Sequence, residues 1–317
     1  MTTQNHIVLS VVVPVYNESP GLLTFHDLLQ AAVEQVYPDN YEIIYCDDGS
    51  RDGTADIIKR LVKANSRVSL IKLSRNFGKE IATTAGIHHA RGQAIMTIDA
   101  DGQHPVELIP QFIEQWKAGS RVVIGLRTAN DQEGFVKRVG SKLFYKVFTR
   151  LTRIQLIPGS TDFRLIDRTV QRDFMRMTER NRITRGLIDW LGYERAYIEF
   201  TANPRLAGEA SYSFKKLVKL AIDSMVSLSI SPLYATAYIG AVVLPASLLI
   251  GLGMLVNLLL NDPIHLRATG SAYVMILLLF LVGVLLVSQG IIGLYLSHIH
   301  TETQNRPLYI IDGEQPS

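Results

Sequence analysis

Along the front of the chain, blocks of continuous apolar residues alternate with blocks of helical spacing. Residues 7–15 form a β-branched run with Pro14 near its end, and residues 21–36 show helical spacing of Leu22, Leu23, Leu28, Leu29 and Val33. Strand-like runs recur at 41–46, 68–73, 94–98 and 121–126. Helical patterns fall between them at 54–62, 79–90 and 106–116. This alternation predicts an α/β domain with a mainly parallel sheet covered on both faces. Ligands of such sheets bind beyond the carboxyl ends of the strands.

The pattern then changes character. Residues 135–153 carry an apolar stripe of Phe135, Val139, Leu143, Phe144, Val147 and Leu151. The polar positions between are Lys137, Arg138, Lys142, Lys146, Arg150 and Arg153, with no acidic residue among them. An all-basic polar face predicts an amphipathic helix lying in a membrane interface; the alternative is a core helix with a solvated face. Residues 214–228, with Lys215, Lys216 and Lys219, repeat the theme. Two stretches without charge or histidine follow, 224–261 and 268–297. Each exceeds the ~20 apolar residues that cross a bilayer core. A short polar link, 262–267, joins them and predicts a transmembrane hairpin with spans at about 232–260 and 270–297.

The expected organisation is therefore a domain at 1–228, spans within 229–298, and a tail at 299–317. Positive charge before the first span places the domain in the cytoplasm, and an even number of spans returns the tail to that side. The net charge of +3 gives no support for a nucleic-acid partner. Cys46 is the only cysteine, so no internal disulfide forms. The run at 7–13 is too short for a secretory signal. No Gly-x-Gly-x-x-Gly follows the first strand, which disfavours a dinucleotide-binding dehydrogenase.

Acidic residues collect at strand ends. Asp47 and Asp48 follow the second strand, and Asp99-Ala100-Asp101, with Gln103, follows the fourth. A carboxylate pair at the open end of a buried strand suits a hard cation such as Mg²⁺ or Mn²⁺. The competing reading makes Asp101 or His104 a helix cap ahead of Pro105.

Val12-Val13-Pro14-Val15-Tyr16-Asn17-Glu18, Asp47-Asp48-Gly49-Ser50 with Asp52-Gly53-Thr54, and Asp99 to Pro105 together resemble family 2 glycosyltransferases of GT-A fold. Ser74 to Glu80, Thr161-Asp162-Phe163-Arg164-Leu165 and Asn305 to Ile310 are similar to the branch that transfers sugars to polyprenyl phosphate. The resemblance implies a Rossmann-like GT-A domain and an inverting transfer from a UDP- or GDP-sugar to a polyprenyl phosphate in a bacterial inner membrane. It places Pro14, Tyr16, Glu18, Asp48, Lys79 and Asp99 at the nucleotide-sugar, and Asp99, Asp101 and Gln103 at the metal. Asp101, Asp162 and Arg127 would be catalytic. Arg205 would meet phosphate, and Lys142, Lys146 and Arg150 would draw in the lipid acceptor.

Plainer roles stand beside these. Pro14 and Asn17 shape a turn, Glu18 starts a helix, Lys79 is a solvated helix residue, and Arg127 forms an ion pair. Asp162 either serves the acceptor or pairs with Arg164 or another cation. Where close members of the branch carry a lysine, this chain has Ser211, so a phosphate contact made there is either absent or supplied by Lys215 or Lys216. A homo-oligomer is compatible with this reading. The rivals are a processive polysaccharide synthase, which would need more spans and a Gln-x-x-Arg-Trp motif, and a non-catalytic nucleotide-sugar sensor.

Overall fold

The computed structural model describes residues 7–128, 157, 159–180, 182–205, 270–313 and scattered positions between 233 and 256. The chain divides into two compact units. The first takes Met1–Lys146, Ile154–Tyr212 and Arg306–Ser317, and the second takes Val147–Arg153 and Ser213–Asn305.

In the first unit the expected alternation is present. The strands are β1 (Leu9–Val15), β2 (Tyr41–Asp47), β3 (Val68–Lys72), β4 (Ala94–Thr97) and β5 (Val122–Arg127). Between them run α1 (Leu22–Val36), α2 (Thr54–Ala64), α3 (Lys79–His89) and α4 (Ile109–Lys117), the last preceded by a 3-10 turn at Val106–Leu108. β1 and β2 are buried at every residue because helices cover both faces, so their sequences are mainly apolar rather than alternating, and the buried Ser10 and Glu42 bond to each other at 2.6 Å. Gly86 on α3 allows the closest helix approach. A Cβ there would lie 2.2 Å from Val12 and 2.7 Å from the Cys46 sulfur. Cys46 is fully buried, a small core residue as expected.

Beyond β5 come β6 (Ser160–Asp167), α5 (Arg168–Phe174), α6 (Thr184–Trp190) and β7 (Arg195–Phe200). The sheet order is β3-β2-β1-β4-β6-β5-β7. β6 runs antiparallel to both β4 and β5, while the other pairings are parallel. The sheet is thus mainly parallel with one reversed strand. β6 lies against the carboxyl end of β4, and Thr97 Oγ1 donates to the Asp162 carbonyl at 2.5 Å. That reversal carries Asp162 to the strand ends where the acidic residues collect.

In the second unit, α7 (Gly270–Thr303) extends the second uncharged stretch by about two turns past residue 297. Its Phe280–Thr303 part has a mean hydropathy of 2.0 and is long and apolar enough to cross a membrane. Among the described residues it is the one such helix. The first expected span, at 232–260, lies largely outside the described residues, so the hairpin is not seen as a pair. The expected interfacial helices at 135–153 and 214–228, with Lys142, Lys146 and Arg150, lie outside them as well.

Candidate active site

A cleft of about 320 Å³ opens at the carboxyl ends of β1, β2 and β4. In the sheet order, the chain leaves β1 toward β2 on one side and meets β4 on the other, which is the switch point where ligands of open α/β sheets bind. Pro14, Val15, Tyr16 and Glu18 line the cleft from the end of β1, and Asp48 from the end of β2. Asn76, Gly78, Lys79 and Ala82 come from the entry to α3, Asp99, Ala100 and Asp101 from the end of β4, and Arg205 from beyond β7.

The two loops beside the cleft are laced together by the polar residues of their motifs. The Asn17 N–H donates to Ser50 Oγ at 2.9 Å and the Arg51 N–H to Asn17 Oδ1 at 2.9 Å. The Glu18 N–H donates to Thr54 Oγ1 and the Ser19 N–H to Asp52 Oδ2, each at 3.0 Å. Asn17 has a φ of 55°, a left-handed conformation that asparagine tolerates better than most residues. Asn17 therefore does shape the turn. Glu18 lines the cleft, and its backbone carbonyl accepts the Leu22 N–H at the start of α1. Burial raises the Glu18 pKa, and the negative charge of Asp101 and Asp99 raises it further.

Asp48 holds the opposite wall. Its carboxylate accepts from the Phe77 N–H at 2.6 Å and the Gly78 N–H at 2.8 Å. Burial raises its pKa, and these two donors oppose the shift. Gly49, at φ +72°, passes so close to this segment that a Cβ would sit 2.7 Å from the Arg75 carbonyl carbon. Any side chain at residue 49 would push away the turn that Asp48 grips.

Asp101 is not a helix cap. The turn at Val106–Leu108 has no side-chain cap. Asp101 Oδ1 instead accepts the Gln103 N–H at 3.0 Å, and Oδ2 lies 3.7 Å from Arg205 Nε. His104 packs nearly parallel to Phe163, with ring centroids 5.2 Å apart. Its Nδ1 lies 3.3 Å from the Asp99 N–H, and burial lowers its pKa, so the neutral ring accepts that bond. His104 thus fixes the backbone from which Asp99 projects, a role not read from the sequence.

Lys79 is neither a plain solvated helix residue nor free to face the donor alone. Its ammonium lies 2.8 Å from Asp99 and 2.8 Å from Asp162. Crowding by protein opposes the charge, but the two carboxylates outweigh it and raise the pKa. Burial would likewise raise Asp162, yet Lys79 and Arg185 hold it well below the usual carboxylate range. A carboxylate so acidic is a weak proton acceptor. The cation that pairs with Asp162 is Lys79, while Arg164 bonds elsewhere.

Two expected residues stand apart from the cleft. Gln103 does not line it, although its backbone serves Asp101. Arg127 ends β5 with an exposed side chain and does not line it either. Among the described residues no group of three or more histidine, cysteine or acidic side chains is arranged to hold a metal. Besides Glu18 and Asp48, whose carboxylate is taken up by the Phe77 and Gly78 N–H groups, Asp99 and Asp101 offer hard oxygen donors within the cleft. That donor set fits Mg²⁺ or Mn²⁺, which are commonly held by one or two carboxylates with the remaining ligands from substrate phosphate and water.

Removing the Lys79 charge tests this arrangement. In Lys79→Met, Asp162 loses its cation and burial lifts its pKa. The wild-type Asp162, with a depressed pKa, contributes stability above the unfolded-state value of about 3.9 and loses it as pH falls through the folded value. The melting temperatures of the two proteins should therefore differ most near neutral pH and converge only as pH is lowered below 4 toward about 2. A gap constant across that range would contradict the bridge.

The family model for glycosyl transferase family 2 matches residues 10–174, the span from β1 through α5. The chain belongs to this family. The protein is accordingly a glycosyltransferase, and similarity to its relatives extends over nearly all of it. It is 37% identical over 96% of its length to an uncharacterised glycosyltransferase, YkcC, of Bacillus subtilis, covering 94% of that protein. It is 34% identical over 97% of its length to the bactoprenol glucosyl transferase of Shigella phage SfV, covering 99% of that protein. Among solved structures, mannosyl-3-phosphoglycerate synthase from Rubrobacter xylanophilus has the same fold, with a TM-score of 0.51 and 18% identity over 70% of this chain and 72% of that one.

Proposed function

We propose that this glycosyltransferase moves a sugar from a nucleotide diphosphate sugar to a polyprenyl phosphate at the cytoplasmic face of a bacterial inner membrane. The observation that carries the reading is the cleft at the switch point, in which Asp48, Glu18, Asp99 and Asp101 face Lys79 and Arg205. Similarity to a bactoprenol glucosyl transferase along almost the whole chain supports the acceptor. An apolar helix of membrane-crossing length supports its lipid setting.

In this reading Pro14 and Tyr16 border the nucleoside, and Tyr16 is 45% exposed, leaving its ring free to stack. Asp48 keeps the 77–78 turn in place as that wall of the pocket. Asp99 and Asp101 hold the divalent cation, which when bound offsets charge on the leaving diphosphate. Arg205, already beside Asp101, approaches the same phosphates. Asp162 borders the acceptor side, and Lys79, bridged to it and to Asp99, faces the donor phosphates. A phosphate monoester is largely a dianion at neutral pH, with a second pKa near 6, so its oxygen needs no strong base to attack the anomeric carbon. The weak basicity of Asp162 is consistent with that, and its role is to hold Lys79 toward the leaving diphosphate. Attack from the face opposite the leaving group inverts the anomeric centre, through an oxocarbenium-like transition state. A paired membrane hairpin and the basic segments at 135–153 and 214–228 bring the lipid phosphate to this carbon by positioning.

Sealed membrane vesicles test the whole proposal. Labelled UDP- and GDP-sugars are added outside inverted and right-side-out vesicles containing the full-length protein. Label should enter the polyprenyl phosphate fraction from one donor, in inverted vesicles only. Transfer in right-side-out vesicles would reject the orientation, and label in long polymer or in no lipid at all would reject the acceptor.

A further inference from the structure

The end of the chain returns to the catalytic unit. Thr303 ends the 34-residue helix α7, and Arg306–Ser317 already belongs to the sheet-bearing unit. There Ile311 forms an antiparallel bridge with Leu73. The Ser74 N–H donates to the Ile310 carbonyl at 2.9 Å, and the Asp312 N–H donates to the Lys72 carbonyl at 2.7 Å. Lys72 Nζ lies 2.5 Å from Asp312 Oδ2. Tyr309 sets its hydroxyl 3.3 Å from His88 Nδ1 and packs its ring beside His88 and His89 on α3. Burial lowers the His88 pKa to about 4, so this partner is a neutral ring at physiological pH. Tyr309 and Ile311 are partly buried against the core that includes Leu73 and Ile87.

What the tail holds runs straight into the cleft. β3 is an edge strand of the sheet, and its unpaired side is the side the tail takes. From Leu73 and Ser74 the chain passes through residues 75–78, whose N–H groups at Phe77 and Gly78 grip Asp48, to Lys79. This short segment is therefore fixed at one end by Asp48 and at the other by the tail. An edge strand fixed on one side only would let the segment shift, and Asn76, Gly78 and Lys79 line the cleft directly.

We propose that residues 309–312 are a positioning strap for the donor site. By completing the edge of β3 they hold residues 74–78, and through them Asp48 and Lys79, in the geometry that binds the nucleotide diphosphate. The proposal rests on the donor role given to that cleft above. It assigns the tail an effect on donor binding rather than on lipid capture.

The test exploits proline, which has no N–H to donate. Asp312→Pro removes the bond to the Lys72 carbonyl, whereas Asp312→Ala keeps it and loses only an exposed ion pair, which contributes little. Full-length proteins in lipid nanodiscs are compared for UDP and GDP affinity with Mn²⁺, for donor and acceptor KM, and for amide hydrogen exchange at Ser74, Phe77 and Gly78. Asp312→Pro and Tyr309→Ala should weaken nucleotide binding and raise donor KM about tenfold, the scale of one or two lost hydrogen bonds. Acceptor KM should hold, and exchange at the three amides should quicken. Asp312→Ala should stay within about twofold of wild type. Unchanged exchange and donor KM in Asp312→Pro would overturn the strap, as would an equal rise in both KM values with a lowered melting temperature. If the wild type binds neither nucleotide, the donor-site reading fails, and the exchange rates still decide whether the tail holds the segment.

Discussion

Replacing Asp101 by asparagine is expected to abolish sugar transfer while leaving the fold in place. The amide oxygen of asparagine can still accept the Gln103 N–H, so the turn after β4 keeps its shape. What disappears is one of the two carboxylate charges that β4 delivers to the cleft, together with the attraction to Arg205 at 3.7 Å. Charge stabilisation by a metal contributes several kcal/mol, and a loss of about 4 kcal/mol corresponds to a rate about a thousandfold lower. Binding gives a second readout. Nucleotide with Mn²⁺ should raise the melting temperature of the wild-type protein by mass action, and the variant should lose the Mn²⁺-dependent part of that rise. Near-normal turnover in Mg²⁺ or Mn²⁺ would remove Asp101 from the metal site.

The front of the fold was legible because buried parallel strands leave an unmistakable trace. β1 and β2 are apolar at most positions, and the turns after them carry the Asn17, Ser50 and Asp52 side chains that lace the loops. The cleft could be placed for the same reason, since strand ends and acidic residues coincide. β6 is different. Its sequence, Ser-Thr-Asp-Phe-Arg-Leu-Ile-Asp, begins with polar residues and contains an arginine, yet Arg164 is 2% exposed. Nothing local announces that a guanidinium will be buried, because its partner Asp189 lies on a helix 25 residues away. The Lys79 bridge was hidden likewise: Lys79, Asp99 and Asp162 are far apart in sequence and meet only because β6 reverses beside β4. Arg127 differs again. The motif resemblance carried it into the site, while the end of β5 leaves it exposed outside the cleft.

Breaking the buried pair between Arg164 and Asp189 is expected to have the largest effect on stability. Both side chains are nearly inaccessible, 2% and 4% exposed, and Arg164 Nη1 lies 2.9 Å from Asp189 Oδ1. The guanidinium also donates to the Thr161 carbonyl at 2.8 Å and to Ser160 Oγ at 2.6 Å, which ties down the start of β6 just ahead of Asp162. Asp189→Leu leaves Arg164 charged and buried with Arg195 nearby, at 3.9 Å from the vacated carboxylate position. Removing one partner of a buried pair costs about 3–5 kcal/mol. For a domain of this size that amounts to a fall of roughly 10 °C in melting temperature. The double variant Arg164→Met/Asp189→Leu removes both charges at similar volume and should regain most of that loss, since apolar replacement of a whole buried pair is often neutral. Its activity should nonetheless stay low. Without the guanidinium, Ser160 and Thr161 lose their anchor, and Asp162 no longer holds Lys79 in register with Asp99. Melting curves and transfer rates of the full-length single and double variants separate the two contributions. Equal melting temperatures for wild type and Asp189→Leu would show that the pair is not buried as described, and full activity in the stable double variant would show that Arg164 serves stability alone.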